Sequence, residues 1–214
     1  CWPPRPVRGA SSHRPSMWRV NLSRICVYCG SSSGSGPEFA ETAQALGRLL
    51  ATQGLTLVYG GAEVGLMGLV ADAALAAGGQ VVGVIPRHLF GREIAHRHLT
   101  ELVEVDSMHE RKQKMFELAD AFVALPGGMG TLEELTEITT WAQLGLHRKP
   151  IATLDVNGYW AAFHTFLREA VRHGFMKEQN LSLISDVTSV DGLLPALRAY
   201  TPPRVGKWLD PDET

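Results

Sequence analysis

A glycine-rich turn followed by a pair of carboxylates is the first part of the sequence that can support chemistry. The segment LPGGMGTLEEL, residues 125–135, follows the apolar run 121–125 and precedes a helical pattern. Glycines at the start of a helix let backbone N–H groups approach an anion, and the helix dipole favours negative charge there. The segment fits neither the P-loop pattern nor the G-x-G-x-x-G spacing, and no Walker-type lysine accompanies it. It therefore predicts a site for a monophosphate.

Glu134, in this segment, has two interpretations. The run 131–134 reads T-x-x-E, a capping box in which Glu134 accepts a hydrogen bond from the Thr131 amide. A carboxylate beside a bound phosphosugar also suits cleavage at the anomeric carbon, where the transition state resembles an oxocarbenium ion. Arg111 lies 23 positions upstream, at a second predicted helix start. It can hold the phosphate or ribose, or pair with Glu134 and keep it ionised.

Short apolar runs alternate with amphipathic segments from residue 24 onward, and these elements must position the two side chains. Strands are predicted at 25–29, 55–59, 80–85, 102–105, 121–125, 151–154 and 181–184, and helices at 37–52, 66–77, 108–118, 132–144, 159–172 and 193–200. Strand–helix alternation with short links predicts an α/β fold, a three-layer sandwich with a mostly parallel central sheet.

Parallel sheets bind ligands beyond the carboxyl ends of their strands. Four predicted strand exits are unusual, at 29–36, 59–68, 106–112 and 126–134. Three of them are rich in glycine or serine, and the other brings the adjacent cations Arg111 and Lys112. All four meet at one edge of the sheet, which is where we expect the site.

The length of 214 residues and the 45% apolar content fit one domain, predicted at 21–203. Residues 1–20 are rich in Pro, Arg and Ser, so we expect a disordered extension, with Met17 as a natural start, and 204–214 is expected to be a tail. The extension lacks the continuous apolar core of a secretory signal, so the cytoplasm is the expected location.

Several function classes are disfavoured. A net charge of −2 gives no reason to expect a nucleic-acid or membrane surface, and no apolar run reaches the length of a membrane span. Cys26 and Cys29 lie three apart on a predicted strand and face opposite sides, so they are expected to be structural. His96 and His98 lack further ligands at metal spacing, and we expect them to be solvated. No metal site is predicted.

Two motifs together resemble those of the LOG family, the cytokinin riboside 5′-monophosphate phosphoribohydrolases. The family patterns are P-G-G-x-G-T-x-x-E and M-H-x-R-K, which read here PGGMGTLEE at 126–134 and MHERK at 108–112. The resemblance also covers CVYCGSS, VYGGAEVGLMG and TWAQLGLHRKP, and extends over about residues 25–200. Ala62-Glu63 is a departure, since many members carry a third glycine there.

The resemblance implies a Rossmann-like fold, a homodimer, no cofactor, and hydrolysis of an N6-substituted AMP to the free base and ribose 5-phosphate. It implies that Arg111 and Glu134 are the catalytic pair. For His109, which lies between Met108 and Glu110 in the motif, we expect a role in positioning and not in proton transfer. It assigns phosphate or nucleotide binding to Ser31, Gly65, Met67, Gly68, Met108, Lys112, Gly127, Gly128, Met129, Gly130 and Thr131.

Three functions stay open at this point. Besides the cytokinin-specific enzyme, a broader purine nucleoside 5′-monophosphate nucleosidase and a non-catalytic nucleotide carrier or sensor fit the sequence. The Arg111/Glu134 pair favours an enzyme, because a protein that only binds nucleotide does not need it. Family members are often labelled lysine decarboxylases, but the sequence shows no lysine context typical of a pyridoxal phosphate Schiff base.

Overall fold

A seven-stranded sheet organises the chain. The computed structural model describes residues 21–89 and 95–203, so the predicted extension 1–20 and tail 204–214 lie outside the described residues. The strands are β1 Arg24–Tyr28, β2 Thr56–Tyr59, β3 Val81–Pro86, β4 Glu101–Val105, β5 Ala121–Ala124, β6 Ile151–Leu154 and β7 Ile184–Val187. The helices are α1 Pro37–Thr52, α2 Gly65–Ala76, α3 Met108–Leu118, α4 Met129–Gln143, α5 Ala161–Arg172 and α6 Val190–Ala199.

The strand order is β4-β3-β2-β1-β5-β6-β7, and every neighbouring pair is parallel. The chain builds outward from β1 to β4, crosses back beneath the sheet through α3, and resumes at β5 on the other side of β1. The order of strands therefore reverses between β1 and β5. In open parallel sheets this reversal opens the crevice in which ligands bind.

Two apolar layers enclose the sheet and confirm the predicted three-layer α/β architecture. One layer packs α1, α2 and α6 against Ile25, Leu57 and Val123. The other packs α3, α4 and the 160–163 region against Phe122, Val58 and Val84. Strands buried on both faces explain the continuous apolar runs in the sequence.

Cys26 and Cys29 lie in different layers, as their spacing predicts. Cys26 packs in the α3/α4 layer and Cys29 in the α1/α2 layer, and both are free thiols. Burial raises the pKa of each thiol, which keeps them protonated and supports a structural role.

The seventh strand is the main error in the predicted elements. It was expected at 181–184 but lies at Ile184–Val187, because the preceding residues form a 3₁₀ turn, Glu178–Leu183. Leu183 is buried in this turn, 2% exposed, so the apolar run continues across the boundary between turn and strand. An apolar run of this length does not by itself distinguish the two.

No helix within residues 21–89 and 95–203 is long and apolar enough to cross a membrane.

Candidate active site

Three loops converge where the strand order reverses. The Gly30 amide after β1 donates to the Pro126 carbonyl after β5 at 3.1 Å, and the Gly30 carbonyl accepts from the Leu66 amide in α2, also at 3.1 Å. Gly65 has a φ of +58° and packs against the Ser31 backbone so closely that a Cβ would overlap it. The exits of β1, β2 and β5 thus form one surface, which unites Ser31, Gly65 and the PGGMGT loop.

The glycines of that loop differ in what they require. A Cβ on Gly127 would overlap the side chain of Thr131 and crowd the Gly30 amide. Gly128 and Gly130 have no such neighbours: a Cβ on either would meet nothing within 4 Å. Among the described glycines, only these two combine open surroundings with a backbone conformation outside the left-handed region. Neither packing nor strain requires glycine there, and the absence of side chains leaves room for the close approach of a ligand.

Helix α4 begins at this loop, earlier than predicted, and this excludes the capping box. The N-cap is Gly128, without a side-chain cap, so Thr131 is the third helical residue and Glu134 lies in the second turn. A capping-box carboxylate must stand three residues after the N-cap. The first-turn amides of α4 are therefore left without side-chain partners, unlike those of α3, where Ser107 accepts from the Glu110 amide. Thr131 itself is buried, 4% exposed, beneath the loop.

Arg111 is buried at the start of α3, 7% exposed, under the exits of β2 and β3. Its Nη2 donates to the Gly60 carbonyl at 2.9 Å and its Nε to the Val84 carbonyl at 3.1 Å. Nη1 lies 3.9 Å from the sulfur of Met108. Two carbonyls thus fix the guanidinium plane, and Nη1 has a weak sulfur acceptor in place of an oxygen.

Glu134 projects from α4 towards the same region and is half-buried. Burial raises the pKa of its carboxyl from 4.5 to about 7; the Arg111 guanidinium opposes this rise and the Glu133 carboxylate adds to it. Within the described residues no hydrogen bond or ion pair ends on the Glu134 carboxylate. A carboxylate with a pKa near 7 and no protein partner is suited to proton transfer at neutral pH.

The ammonium of Lys112 is engaged by two carboxylates of α4. Its Nζ hydrogen-bonds to the Glu137 carboxylate at 2.9 Å and also to that of Glu133. Burial opposes the charge on Lys112, but these two carboxylates outweigh it and raise its pKa. Lys112 therefore ties α3 to α4, while its charge still lowers the pKa of Glu134.

A shallow hollow of about 310 Å³ lies between α3 and α4, and Lys112 is one of the residues that line it. Its lining includes His109, Gln113, Glu137 and Trp141. Trp141 is half-buried and its ring meets Phe116 edge-on at 5.3 Å, so it serves the core and lines the hollow at once. Among the predicted binding residues, Met67 is buried at 8% exposure, whereas Met129 is 79% exposed beside the loop.

His96 is not solvated, contrary to expectation. It is 2% exposed and its Nε2 lies 2.8 Å from the Asp72 carboxylate of α2. Its amide donates to the Gly61 carbonyl at 3.0 Å, so the loop returns to the β2 exit. His98 is exposed, as expected. In the part of the chain that the structure describes, no cluster of three or more His, Cys, Asp or Glu residues is arranged to hold a metal ion.

Comparison with known proteins settles the family. A family model described as "Possible lysine decarboxylase" matches residues 67–197. A cytokinin riboside 5′-monophosphate phosphoribohydrolase of Arabidopsis thaliana is 49% identical over 184 residues, 86% of this chain and 85% of that protein. One from Oryza sativa subsp. japonica is 46% identical, over 86% of this chain and 76% of its own. The chain belongs to the LOG family.

Solved structures show that the fold is shared beyond the LOG family. A molybdenum cofactor binding protein of Rippkaea orientalis has a TM-score of 0.62 at 20% identity, over 82% of this chain and 94% of its own. The molybdenum cofactor carrier protein of Chlamydomonas reinhardtii has a TM-score of 0.61 at 20% identity, over 82% of this chain and 96% of its own. At this identity the likeness concerns the fold alone.

Two residues at this LOG-family site were missed from the sequence. The Gly60 carbonyl holds Arg111, and a Cβ on Gly60 would overlap the guanidinium. The hydroxyl of Tyr159 donates to the Gly127 carbonyl in the PGGMGT loop. The Asn-Gly pair that precedes Tyr159 is a turn signal after a buried strand, and it could have marked a further strand exit at the same edge.

Proposed function

We propose that this LOG-family chain hydrolyses the N-glycosidic bond of a cytokinin riboside 5′-monophosphate, an N6-substituted AMP, and releases the free base and ribose 5-phosphate. Its relatives of 43–49% identity bear the name of that activity. The observation that carries the proposal is the arrangement on α4. Gly128 and Gly130 leave room for an anion at its uncapped start, and the unpartnered Glu134 carboxylate follows one turn later.

In this proposal the 5′-phosphate lies against the loop of Gly128, Gly130 and Thr131. Backbone amides and the helix dipole supply the attraction, which is why a chain with a net charge of −2 needs no basic patch. The exits of β1 and β2, with Ser31 and the turn at Gly65, line the sugar and base. Met67 and Gly68 lie in the first turn of α2 and complete that wall.

The reaction exchanges one bond for another at the anomeric carbon. A water oxygen bonds to C1′ while the bond from C1′ to the base nitrogen breaks, and the bonding electrons leave with the base. Glu134 accepts the proton released by the water and stabilises the positive charge that develops on the sugar ring. The departing base takes up one proton from solvent and Glu134 returns its proton to solvent, so the products are the free base and ribose 5-phosphate and the carboxylate is restored.

Arg111 has a positioning and electrostatic part in this scheme. Two of its nitrogens are held by the Gly60 and Val84 carbonyls, so the guanidinium is rigid before substrate arrives. Nη1 is the nitrogen that we assign to substrate. The positive charge also opposes the rise in the pKa of Glu134, which keeps a larger fraction of the carboxylate ionised at neutral pH.

The lysine decarboxylase description of the family does not suit Lys112, the lysine beside Arg111. A Schiff-base lysine needs a lowered pKa and a free amine. Lys112 has two carboxylate partners and a raised pKa. Its contacts support a structural role between α3 and α4.

We also propose that the chain forms a homodimer. The described residues expose large apolar side chains, including Phe166 at 66% and Phe175 at 87%, and α5 has no buried residue. Apolar surface of this kind is typical of an interface. Light scattering coupled to size-exclusion chromatography should give twice the mass of one chain, and a mass of one chain at micromolar concentration would refute the dimer.

One experiment separates the candidate functions. The wild type is incubated with isopentenyladenosine monophosphate, AMP, GMP and CMP, and the released bases are identified by mass. Release from the N6-substituted nucleotide at a kcat/KM well above that for AMP supports the proposed function. Equal rates with AMP and GMP indicate the broader nucleosidase. Tight nucleotide binding with no base released from any substrate indicates the carrier.

A further inference from the structure

Tyr159 contacts the PGGMGT loop but does not belong to any of the four strand exits that contain the predicted site residues. It follows β6, and its hydroxyl donates a hydrogen bond to the Gly127 carbonyl, 32 positions away in the chain. Tyr159 is 44% exposed, so the contact lies at the open rim of the sheet edge and not in the core. A tyrosine hydroxyl that donates to a backbone carbonyl at such a place constrains the loop that carries the carbonyl.

The turn before Tyr159 is built to hold that position. Asn157 and Gly158 both have left-handed backbone conformations, with φ of 54° and 79°, and Asn157 is the only residue other than glycine with a positive φ in the described ranges. The Asp155 carboxylate accepts from the Trp160 amide at 2.8 Å and closes the turn. The ring of Tyr159 also meets the ring of Phe39, at the start of α1, edge-on at 6.2 Å.

The peptide bond between Gly127 and Gly128 links the Tyr159 contact to the predicted phosphate site. The carbonyl of Gly127 and the N–H of Gly128 belong to one peptide plane, and in a trans peptide they point in opposite directions. The described residues contain no cis peptide. A carbonyl held towards Tyr159 therefore turns the Gly128 amide to the opposite side. Within the described residues that amide donates no hydrogen bond, and a Cβ on Gly128 would meet nothing within 4 Å.

We propose that Tyr159 is a positioning residue for phosphate recognition: it fixes the Gly127–Gly128 peptide so that the Gly128 amide faces the 5′-phosphate of the substrate. The inference rests on the proposed function, because it assumes a phosphorylated sugar in the loop. Tyr159 acts through the peptide and does not touch the reacting bond. Its effect belongs to phosphate affinity and not to the rate of bond cleavage.

The test is Tyr159→Phe, which removes one oxygen and keeps the ring against Phe39. Calorimetry with ribose 5-phosphate measures phosphate recognition directly. We expect an affinity about three- to tenfold weaker than wild type, the loss typical of one hydrogen bond. KM for the nucleotide should rise by a similar factor while kcat stays within about twofold, since bond cleavage is unaffected. Unphosphorylated ribose should bind both proteins alike.

Tyr200→Phe is the matched control. The Tyr200 hydroxyl is buried and has no partner among the described residues, so its removal should leave ribose 5-phosphate affinity and KM unchanged. If Tyr159→Phe binds ribose 5-phosphate with wild-type affinity and has a normal melting temperature, the inference is overturned while the proposed function stands. If the wild type releases no base from any nucleotide, the proposed function fails and the inference fails with it. A fall in kcat with no change in KM would also overturn the inference, because it would place Tyr159 in the chemical step.

Discussion

Arg111 lowers the pKa of Glu134 without forming an ion pair with it in the described part of the chain. The guanidinium is engaged instead by the carbonyls of Gly60 and Val84. A direct ion pair would hold the carboxylate ionised and occupied. The observed arrangement leaves the carboxylate unpartnered, with a pKa near neutrality, and this is the property that a general base needs.

The pH dependence of activity should follow Glu134. With a pKa of about 7 and the ionised form active, kcat/KM should fall roughly tenfold per pH unit below that value. Activity that increases as the pH falls would contradict the role as a base. The substrate phosphate also titrates, near pH 6. The acid limb of the kcat/KM profile is therefore assigned to Glu134 only if mutations near its carboxylate shift that limb.

Two neighbouring substitutions should move that limb in opposite directions. The Glu133 carboxylate raises the pKa of Glu134 and the Lys112 ammonium lowers it. Glu133→Gln should therefore shift the acid limb of kcat/KM to lower pH, and Lys112→Met should shift it to higher pH. The substrate is the same in both assays, so its own titration cannot produce opposite shifts. Identical limbs in all three proteins would show that another group controls the profile.

Glu134→Gln should lower base release by at least about a thousandfold, which is the order of general base catalysis with lost charge stabilisation. The same change should stabilise the fold at pH 8. The native pKa of Glu134 exceeds its unfolded value of 4.5, so the folded state binds the proton more tightly, and stability falls as pH rises between about 4.5 and 7. We expect a gain of about 1–2 kcal/mol by urea unfolding at pH 8, and a smaller one at pH 5.

Gly130→Ala should separate folding from binding. A Cβ at this position meets open space within helix α4, so stability should be unchanged or higher by up to about 1 kcal/mol. The methyl group projects where we place the phosphate, and KM should increase at least about tenfold. Gly127→Ala is the contrasting variant, because its Cβ overlaps Thr131 and should lower the melting temperature. An unchanged KM in Gly130→Ala would remove the loop from phosphate binding.

Arg111→Lys keeps the positive charge but removes the fixed pair of hydrogen bonds to the Gly60 and Val84 carbonyls. We expect a loss of about 2 kcal/mol in unfolding free energy, because buried carbonyls lose their donors, and a fall in kcat/KM of at least about a hundredfold. Arg87→Lys is the control, since Arg87 is exposed and its pairs with Glu104 and Asp106 should contribute little. Equal activity of Arg111→Lys and wild type would show that charge alone suffices.

Much of the fold follows from the sequence because buried parallel strands have a strong local signal. The runs around Ile25, Val58 and Phe122 are apolar on both faces, and α1 starts at Pro37 as predicted. The edge strand β7 was displaced because Leu183 is buried in a turn, where burial gives the same apolar pattern as a strand.

The sequence predicts that the residues of the candidate site meet at one edge of the sheet, but it does not predict their contacts. The sequence contains glycine-rich strand exits and an arginine at a helix start. In a parallel sheet the strand exits lie at the same edge, so these residues are expected to lie near one another. The start of α4 was misplaced because T-x-x-E has the composition of a capping box, whereas the backbone begins the helix at Gly128. Tyr159 was missed because its partner, Gly127, is close only after the sheet has formed. The pKa of Glu134 likewise depends on burial, which no short motif specifies.

Helix α4 fixes the distance between the proposed phosphate site and the proposed general base, and this distance limits which nucleotides can react. The proposed phosphate cradle begins at Gly128 and the proposed base is Glu134, six residues later in the same helix. At 1.5 Å per residue the helix rises about 9 Å between them, and hydrogen bonding along the backbone fixes this distance. In this proposal the helix therefore sets how far the glycosidic bond must lie from the bound phosphate. A nucleoside diphosphate bound by its terminal phosphate has its glycosidic bond further from the phosphate site than a monophosphate does. We therefore expect it not to be cleaved. A comparison of AMP with ADP turnover would measure this difference.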